Sequence, residues 1–281
     1  MTADVRIDAL LPAEMARRAE YLGVRKAEAP LLATFTLAVL AGAFIALGSV
    51  FATTVAAGTS GTLPYGVARL LIGSVFSLGL VLVVVGGAEL FTGNNLIVMA
   101  WASRKVTTVA MLRNWGVVYL GNFVGAIGTA GLVILSRQYT FGGGAVGAAA
   151  LSIANGKVGF GFVQAVALGI LCNALVCLAV WLSFSARSTI DRIAAILFPI
   201  AAFVAAGFEH SIANMYFVPV GLFLKMFDPT FVVASGLDVS RLTWSAFLTA
   251  NLIPVTLGNV LGGSLLVAVT YWFVFLRGPQ S

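Results

Sequence analysis

Six stretches of this chain stay apolar for about 20 residues or more, the length that carries an α-helix across a bilayer. They run near 31–57, 66–101, 112–136, 159–184, 192–224 and 245–276. No soluble fold hides so much apolar surface: 60% of the 281 residues are hydrophobic and only 9% are charged, where an ordinary soluble domain has about 25% charged. The sequence predicts an all-α membrane protein with six transmembrane helices. Residues 1–28 read as a cytoplasmic N-terminal amphipathic segment, 29–277 as the six-helix transmembrane domain and 278–281 as a cytoplasmic tail.

Loop charge sets the expected direction of threading. With six spans, the termini and the loops after spans two and four share one side. Those segments carry eleven basic residues, among them Arg17, Arg18, Lys26, Arg104 and Arg277, against five on the other side: Arg69, Arg137, Lys157, Lys225 and Arg241. The positive-inside rule then places both termini in the cytoplasm. The net charge of +6 belongs to these loops, because the first 28 residues hold five acidic and five basic side chains. No basic patch is interleaved with aromatics, so no nucleic-acid partner is expected.

Pro12 to Lys26 reads as a helix with Pro12 early, where a missing N–H costs little. Met15, Ala19 and Leu22 form its apolar stripe and Glu20 lies off it, as expected of a helix on the membrane face; a regulatory lid is the alternative. The Gly- and Ala-rich segment 138–157 reads as an external loop. Cys172 and Cys177 fall in one span and on different helix faces, which excludes an intrahelical disulfide.

The chain also repeats itself. Leu120-Gly121-Asn122-Phe123-Val124-Gly125 in the third span echoes Leu257-Gly258-Asn259-Val260-Leu261-Gly262 in the sixth. Gly87-Ala88-Glu89, with Asn94 beyond it, echoes Gly207-Phe208-Glu209 with Asn214. The echoes pair span two with five and three with six, a three-plus-three duplication. Each half has an odd number of spans, so the copies must be inverted across the membrane. The second and fifth spans are too long for one crossing and are broken near Gly86 to Asn95 and Gly207 to Ser211. Backbone leaves helical form at membrane depth only where protein buries it or it lines a cavity. Matching breaks in two halves mark a central transport site.

Several residues could carry the chemistry. His210, the single histidine, sits at the second break, and a lone His excludes a multi-His metal site. Ionisable groups inside a membrane are costly and usually functional, which sets His210 apart from a merely satisfied core histidine. Glu89 and Glu209 each either cap free N–H groups at a break or act as proton relay or substrate ligand. Thr92 stands where a half-helix restarts; its hydroxyl could cap that helix and donate to a substrate, and Ser211 could do the same opposite it. Two half-helix N-termini aimed inward would suit an anion. Lys157 either draws anions in or is a solvated interfacial lysine. Asn173 either glues helices or faces the pore. Gly121/Gly125 and Gly258/Gly262 are close-contact spacings. Phe76, Leu80, Leu90, Phe91 and Phe203 are ordinary core candidates. GxxxxGK[ST], HExxH, GxSxG and a strand-borne GxGxxG are all missing, so neither an enzyme nor an ATP-driven pump is expected, and no cofactor or metal.

Glu89-Leu90-Phe91-Thr92-Gly93-Asn94-Asn95, Gly207-Phe208-Glu209-His210-Ser211-Ile212-Ala213-Asn214-Met215 and Asn251-Leu252-Ile253-Pro254-Val255-Thr256-Leu257-Gly258-Asn259 resemble the formate/nitrite transporter family, most closely its formate-channel branch. Leu175 to Trp181 and Leu11 to Ala16 agree. The resemblance implies a homopentamer of six-helix protomers in a bacterial inner (plasma) membrane, each protomer with an aquaporin-like fold and its own pore for a small monovalent anion, formate or nitrite. It implies a central His210 with Thr92, and Glu209 supporting the His. Phe76 and Phe203 would form one constriction and Leu80, Leu90 and Phe91 the other. Lys157 and Asn173 match pore-associated positions, and Glu89, Asn94, Asn122, Asn214 and Asn259 support the helix breaks. Gly93 replaces a Ser that formate channels carry after the Thr, which leaves formate over nitrite a preference. The expected mechanism is transient protonation of the anion by His210, because a bare anion in an apolar slit carries a large desolvation cost. The alternative is an anion channel, for nitrite or a similar ion, without proton transfer. A neutral-solute pore lacks its paired Asn-Pro-Ala motifs, and a flux-free scaffold has no use for a buried Glu209-His210 pair.

Overall fold

The computed structural model describes residues 9–59 and 61–278, and all regular structure among the described residues is helical. Six helices are long and apolar enough to cross a membrane: Leu31–Ala56, Tyr65–Gly86, Thr108–Leu135, Phe162–Ser185, Thr189–Ala206 and Trp244–Phe275. In chain order the elements are α1 (Pro12–Glu28), α2 (Leu31–Ala56), α3 (Tyr65–Phe76) running on into α4 (Leu78–Gly86), α5 (Val98–Ala102), α6 (Thr108–Leu135), α7 (Ala145–Lys157), α8 (Phe162–Ser185), α9 (Thr189–Ala206), α10 (Ser211–Phe227), α11 (Pro229–Ala234) and α12 (Trp244–Phe275). The expected tail 278–281 lies almost wholly outside the described residues, as do the first eight positions of the N-terminal segment.

Both long spans stop where the sequence predicts. α4 ends at Gly86 and α9 at Ala206, and the next residues, Gly87 and Gly207, take φ of 80° and 79°. That left-handed cap favours glycine and turns the chain off the helix axis. Beyond the caps the two halves diverge. After the first break come only a tight turn, Gly93–Ile97, and the short α5; after the second comes α10, 17 residues long.

The repeated GxxxG spacings are backbone contacts. A Cβ on Gly125 would stand 1.9 Å from the Val39 carbonyl oxygen of α2, and one on Gly258 would stand 2.2 Å from the Val166 oxygen of α8. Glycine therefore lets α6 lie directly on α2, and α12 on α8. α12 widens its turns at Phe247–Leu252 and Gly262–Val269, on either side of Ile253–Leu261.

Two expectations need correction. Residues 138–157 are not a loop throughout: once Gly142, Gly143 and Gly144 have turned the chain, Ala145–Lys157 is helical and packs on α10. α1 buries Met15, Ala19 and Gly23 against the rest of the protein and leaves Arg17, Tyr21 and Arg25 exposed. Glu20, expected off the buried stripe, is buried and pairs with Lys105 at 2.5 Å. Arg18 donates to the Phe184 carbonyl and Arg113 to that of Ala27, so side-chain bonds to α8 and α6 also tie α1 down.

Candidate functional site

Two cavities flank the helix breaks. One, of about 300 Å³, is lined by Leu22, Lys26, Leu80, Glu89 and Leu90 among others; the second, of about 340 Å³, by Arg69, Phe76, Lys157, Phe203 and His210. Arg69 lies near the start of α3 and Gly87 just past the end of α4. At 1.5 Å per helical residue these two lie about 27 Å apart, so the cavities sit at opposite ends of one span.

Each break is held by the same set of residue types. In the first half Lys26 Nζ donates to Glu89 Oε1 at 2.8 Å, and Asn94 Nδ2 to Glu89 Oε2 at 2.7 Å. Asn94 also donates to Asn114 Oδ1, whose own amide donates to the Lys26 carbonyl. In the second half Lys157 Nζ donates to Glu209 Oε1 at 2.8 Å and Asn214 Nδ2 to Glu209 Oε2 at 2.7 Å. Asn214 donates to Asn251 Oδ1, whose amide donates to the Lys157 carbonyl. Asn122 Oδ1 accepts the Phe91 N–H while its amide donates to the Ala38 and Glu89 carbonyls. Asn259 does the same for the Ser211 N–H and the Gly169 and Glu209 carbonyls. Each network satisfies backbone that its broken helix leaves open.

Glu89 and Glu209 therefore do not cap backbone N–H groups, as one expectation had it. Their carboxylates accept from a lysine and from Asn amides, while the Asn122 and Asn259 side chains each take one backbone N–H beyond a break. Lys157 is no solvated interfacial lysine either. Its side chain is 14% exposed, paired with Glu209, with Phe217's ring 5.2 Å from its ammonium.

The mirrored pattern places Phe91 opposite Ser211, hence Leu90 opposite His210, and here the halves differ. His210 is buried and occupies the N-cap of α10, where its Nδ1 accepts the Ala213 N–H at 3.1 Å. A backbone N–H can only donate, so Nδ1 bears the lone pair and the neutral ring's proton is assigned to Nε2. Nε2 lies 2.9 Å from Thr92 Oγ1. With Nε2–H donating, the Thr92 hydroxyl keeps its own proton for another acceptor. Thr92 sits before the Gly93–Ile97 turn, but its hydroxyl does not cap it. Ser211 likewise caps nothing; its buried hydroxyl makes no hydrogen bond.

Phe76 and Phe203 meet edge to face at 5.6 Å, and Phe203 lies 5.8 Å from the His210 ring. Leu80 and Leu90 line the opposite cavity, whereas Phe91 lines neither and sets its ring against Trp115 and Tyr119 at 6.1 and 4.9 Å. Asn173 is a buried strut: its amide donates to Asn95 Oδ1 and to the Asn259 carbonyl at 2.8 and 2.7 Å, and more weakly to the Thr92 carbonyl.

Lys26, Asn114, Asn251 and Arg69 carry no site role in the sequence reading. A signal existed for the asparagines: Asn114 precedes Asn122 by eight positions, and Asn251 precedes Asn259 by eight. Lys26 carries no comparable signal, being 63 residues from Glu89 where Lys157 is 52 from Glu209.

Known proteins resemble this chain in sequence and in fold. The family model "Formate/nitrite transporter" matches residues 13–273. The formate channel FocA of Escherichia coli strain K12 is 50% identical over 281 residues, covering 99% of this chain and 98% of that protein. FocA of Haemophilus influenzae is 41% identical, covering 93% of each. A solved structure described as a pentameric formate channel with formate bound superposes with a TM-score of 0.82 at 45% identity, covering 88% of this chain and 98% of that one. A solved "FNT family ion channel" superposes with a TM-score of 0.77 at 27% identity, covering 93% of this chain and 98% of that one.

Proposed function

The chain belongs to the formate/nitrite transporter family, and from that premise we propose that it conducts formate, or a similar monovalent oxyanion such as nitrite, across a bacterial inner membrane. One observation carries the reading: the His210–Thr92 hydrogen bond joins the two halves between two cavities with apolar constrictions. Formate offers two acceptor oxygens, so a site for it must donate. His210 Nε2–H occupies one lone pair of the Thr92 oxygen and leaves the hydroxyl proton for the anion.

Two features of the site favour two different fates for the proton. The Ala213 N–H bond to Nδ1 favours conduction with His210 as a fixed hydrogen-bond donor. To give up a proton and remain neutral, the ring must first be an imidazolium, whose Nδ1–H would confront the Ala213 N–H. The apolar walls of Phe76, Phe203, Leu80 and Leu90 favour the second reading, passage as the neutral acid on a proton lent by His210. Formate uptake into proteoliposomes holding a pH dye decides, using wild type and His210→Asn. Formate charge entering without protons supports the fixed donor. Stoichiometric proton entry that vanishes in the variant supports protonation. Nitrite flux without formate flux moves the substrate, and no flux with either defeats transport.

The matched networks support an inverted three-plus-three, aquaporin-like repeat. The pentameric neighbour supports a homopentamer. The loop charges support cytoplasmic termini, which turns the Lys26 cavity to the cytoplasm and the Lys157 cavity outward.

A further inference from the structure

Three charged side chains line the Lys157 cavity: Arg69, Lys157 and Glu209. Lys157 and Glu209 are bonded to each other at 2.8 Å, so their charges cancel locally. The cavity's uncompensated positive charge is Arg69. No carboxylate among the described residues lies within ion-pair distance of it.

Arg69 is held instead by backbone. Its Nε donates to the Ala205 carbonyl at 3.0 Å and one Nη2 hydrogen to the Val204 carbonyl. Both oxygens belong to the last turn of α9, where helix carbonyls carry partial negative charge; the Val204 oxygen also accepts the Gly207 N–H at 3.1 Å. The guanidinium is thereby fixed along its Nε–Nη2 edge. Its other edge makes no hydrogen bond to any of the described residues. Arg69 is half-buried beside an aromatic wall of Phe76, Phe203 and Phe217, so water competes less for that edge and little side-chain entropy remains to be lost on binding.

We propose that the free edge of Arg69 is an anion dock in the Lys157 cavity, taking a small planar oxyanion by two of its oxygens before it reaches His210 and Thr92. The inference rests on the transport reading above and adds a binding position to it. A guanidinium edge matches two oxygens on one centre, which an ammonium cannot do and a halide cannot exploit. Formate and nitrite fit; chloride gains only from the charge.

The test uses the purified, assembled channel in planar bilayers, with conductance measured against formate and against chloride for wild type, Arg69→Lys and Arg69→Gln. Arg69→Gln should raise the half-saturating formate concentration about tenfold, and Arg69→Lys about threefold. Arg69→Lys should leave chloride conductance unchanged, because the charge is kept. Both variants can still donate to the α9 carbonyls, and Arg69→Lys alone decides if Arg69→Gln fails to assemble. Wild-type formate saturation in Arg69→Lys, or an equal rise for formate and chloride, overturns the dock. Saturation-transfer NMR on the C–H proton of formate reads binding without flux in detergent. Signal in wild type and its loss in Arg69→Gln upholds the dock even if formate conductance is absent and the transport reading falls; equal signal in both overturns the dock.

Discussion

At the scale of single residues, the buried charges fix how much each pair matters. Glu209 is 4% exposed and Lys157 14%, whereas Lys26 is 32% exposed. Glu209→Gln leaves the Lys157 ammonium buried without a counter-charge, which costs about 3–5 kcal/mol. It should markedly lower the melting temperature of the detergent-solubilised protein. Adding Lys157→Met should recover much of the loss, since the stranded charge goes with it. Glu89→Gln should be milder because Lys26 reaches water. A Glu209→Gln protein that melts like wild type would disprove the ranking. His210 and Glu209 were legible in the sequence because an ionisable group in an apolar stretch is visible without a fold. The partners of the glutamates were less so: Lys26 looks like any cation on an amphipathic helix until the fold carries it to Glu89.

At the scale of elements, the glycines that join α2 to α6 and α8 to α12 tolerate no added atom. Gly125→Ala must push α6 off the Val39 carbonyl, and overpacking of this kind costs about 1–3 kcal/mol. Gly128→Ala on the same helix, with nothing within 4 Å in the protomer, should cost nothing or stabilise slightly. Thermal melts of the two variants side by side check this, and equal melting temperatures would sink it. The spans and both breaks were readable because apolar length and glycine punctuation are local properties. α7 was hidden for a local reason too. Its Gly142-Gly143-Gly144 lead-in reads as loop, while the alanines at 148, 149, 150 and 154 that favour helix carry no apolar stripe strong enough to announce one. The expected helix caps failed at Thr92, Ser211 and the two glutamates because the actual capping groups are the His210 ring and, from other spans, Asn122 and Asn259.

At the scale of the molecule, eleven basic residues against five predict the insertion. Ser240→Cys should react with an impermeant maleimide on intact cells, and Gly278→Cys only after permeabilisation; the reverse pattern would invert the topology. Both native cysteines are buried, so they should not obscure the result.

One matched scaffold holds both ends of the passage, yet imidazole stands at position 210 and isobutyl at its counterpart, Leu90. The free-energy profile across the protein is therefore lopsided although the networks that hold its two breaks match. If the pathway is passive, it cannot act as a one-way valve: with dilute solute, microscopic reversibility demands the same permeability in both directions. Lopsidedness can show only when the passage fills, as different half-saturation from the two faces. Efflux from a crowded cell and influx from a dilute medium would then meet different ceilings through the same still structure.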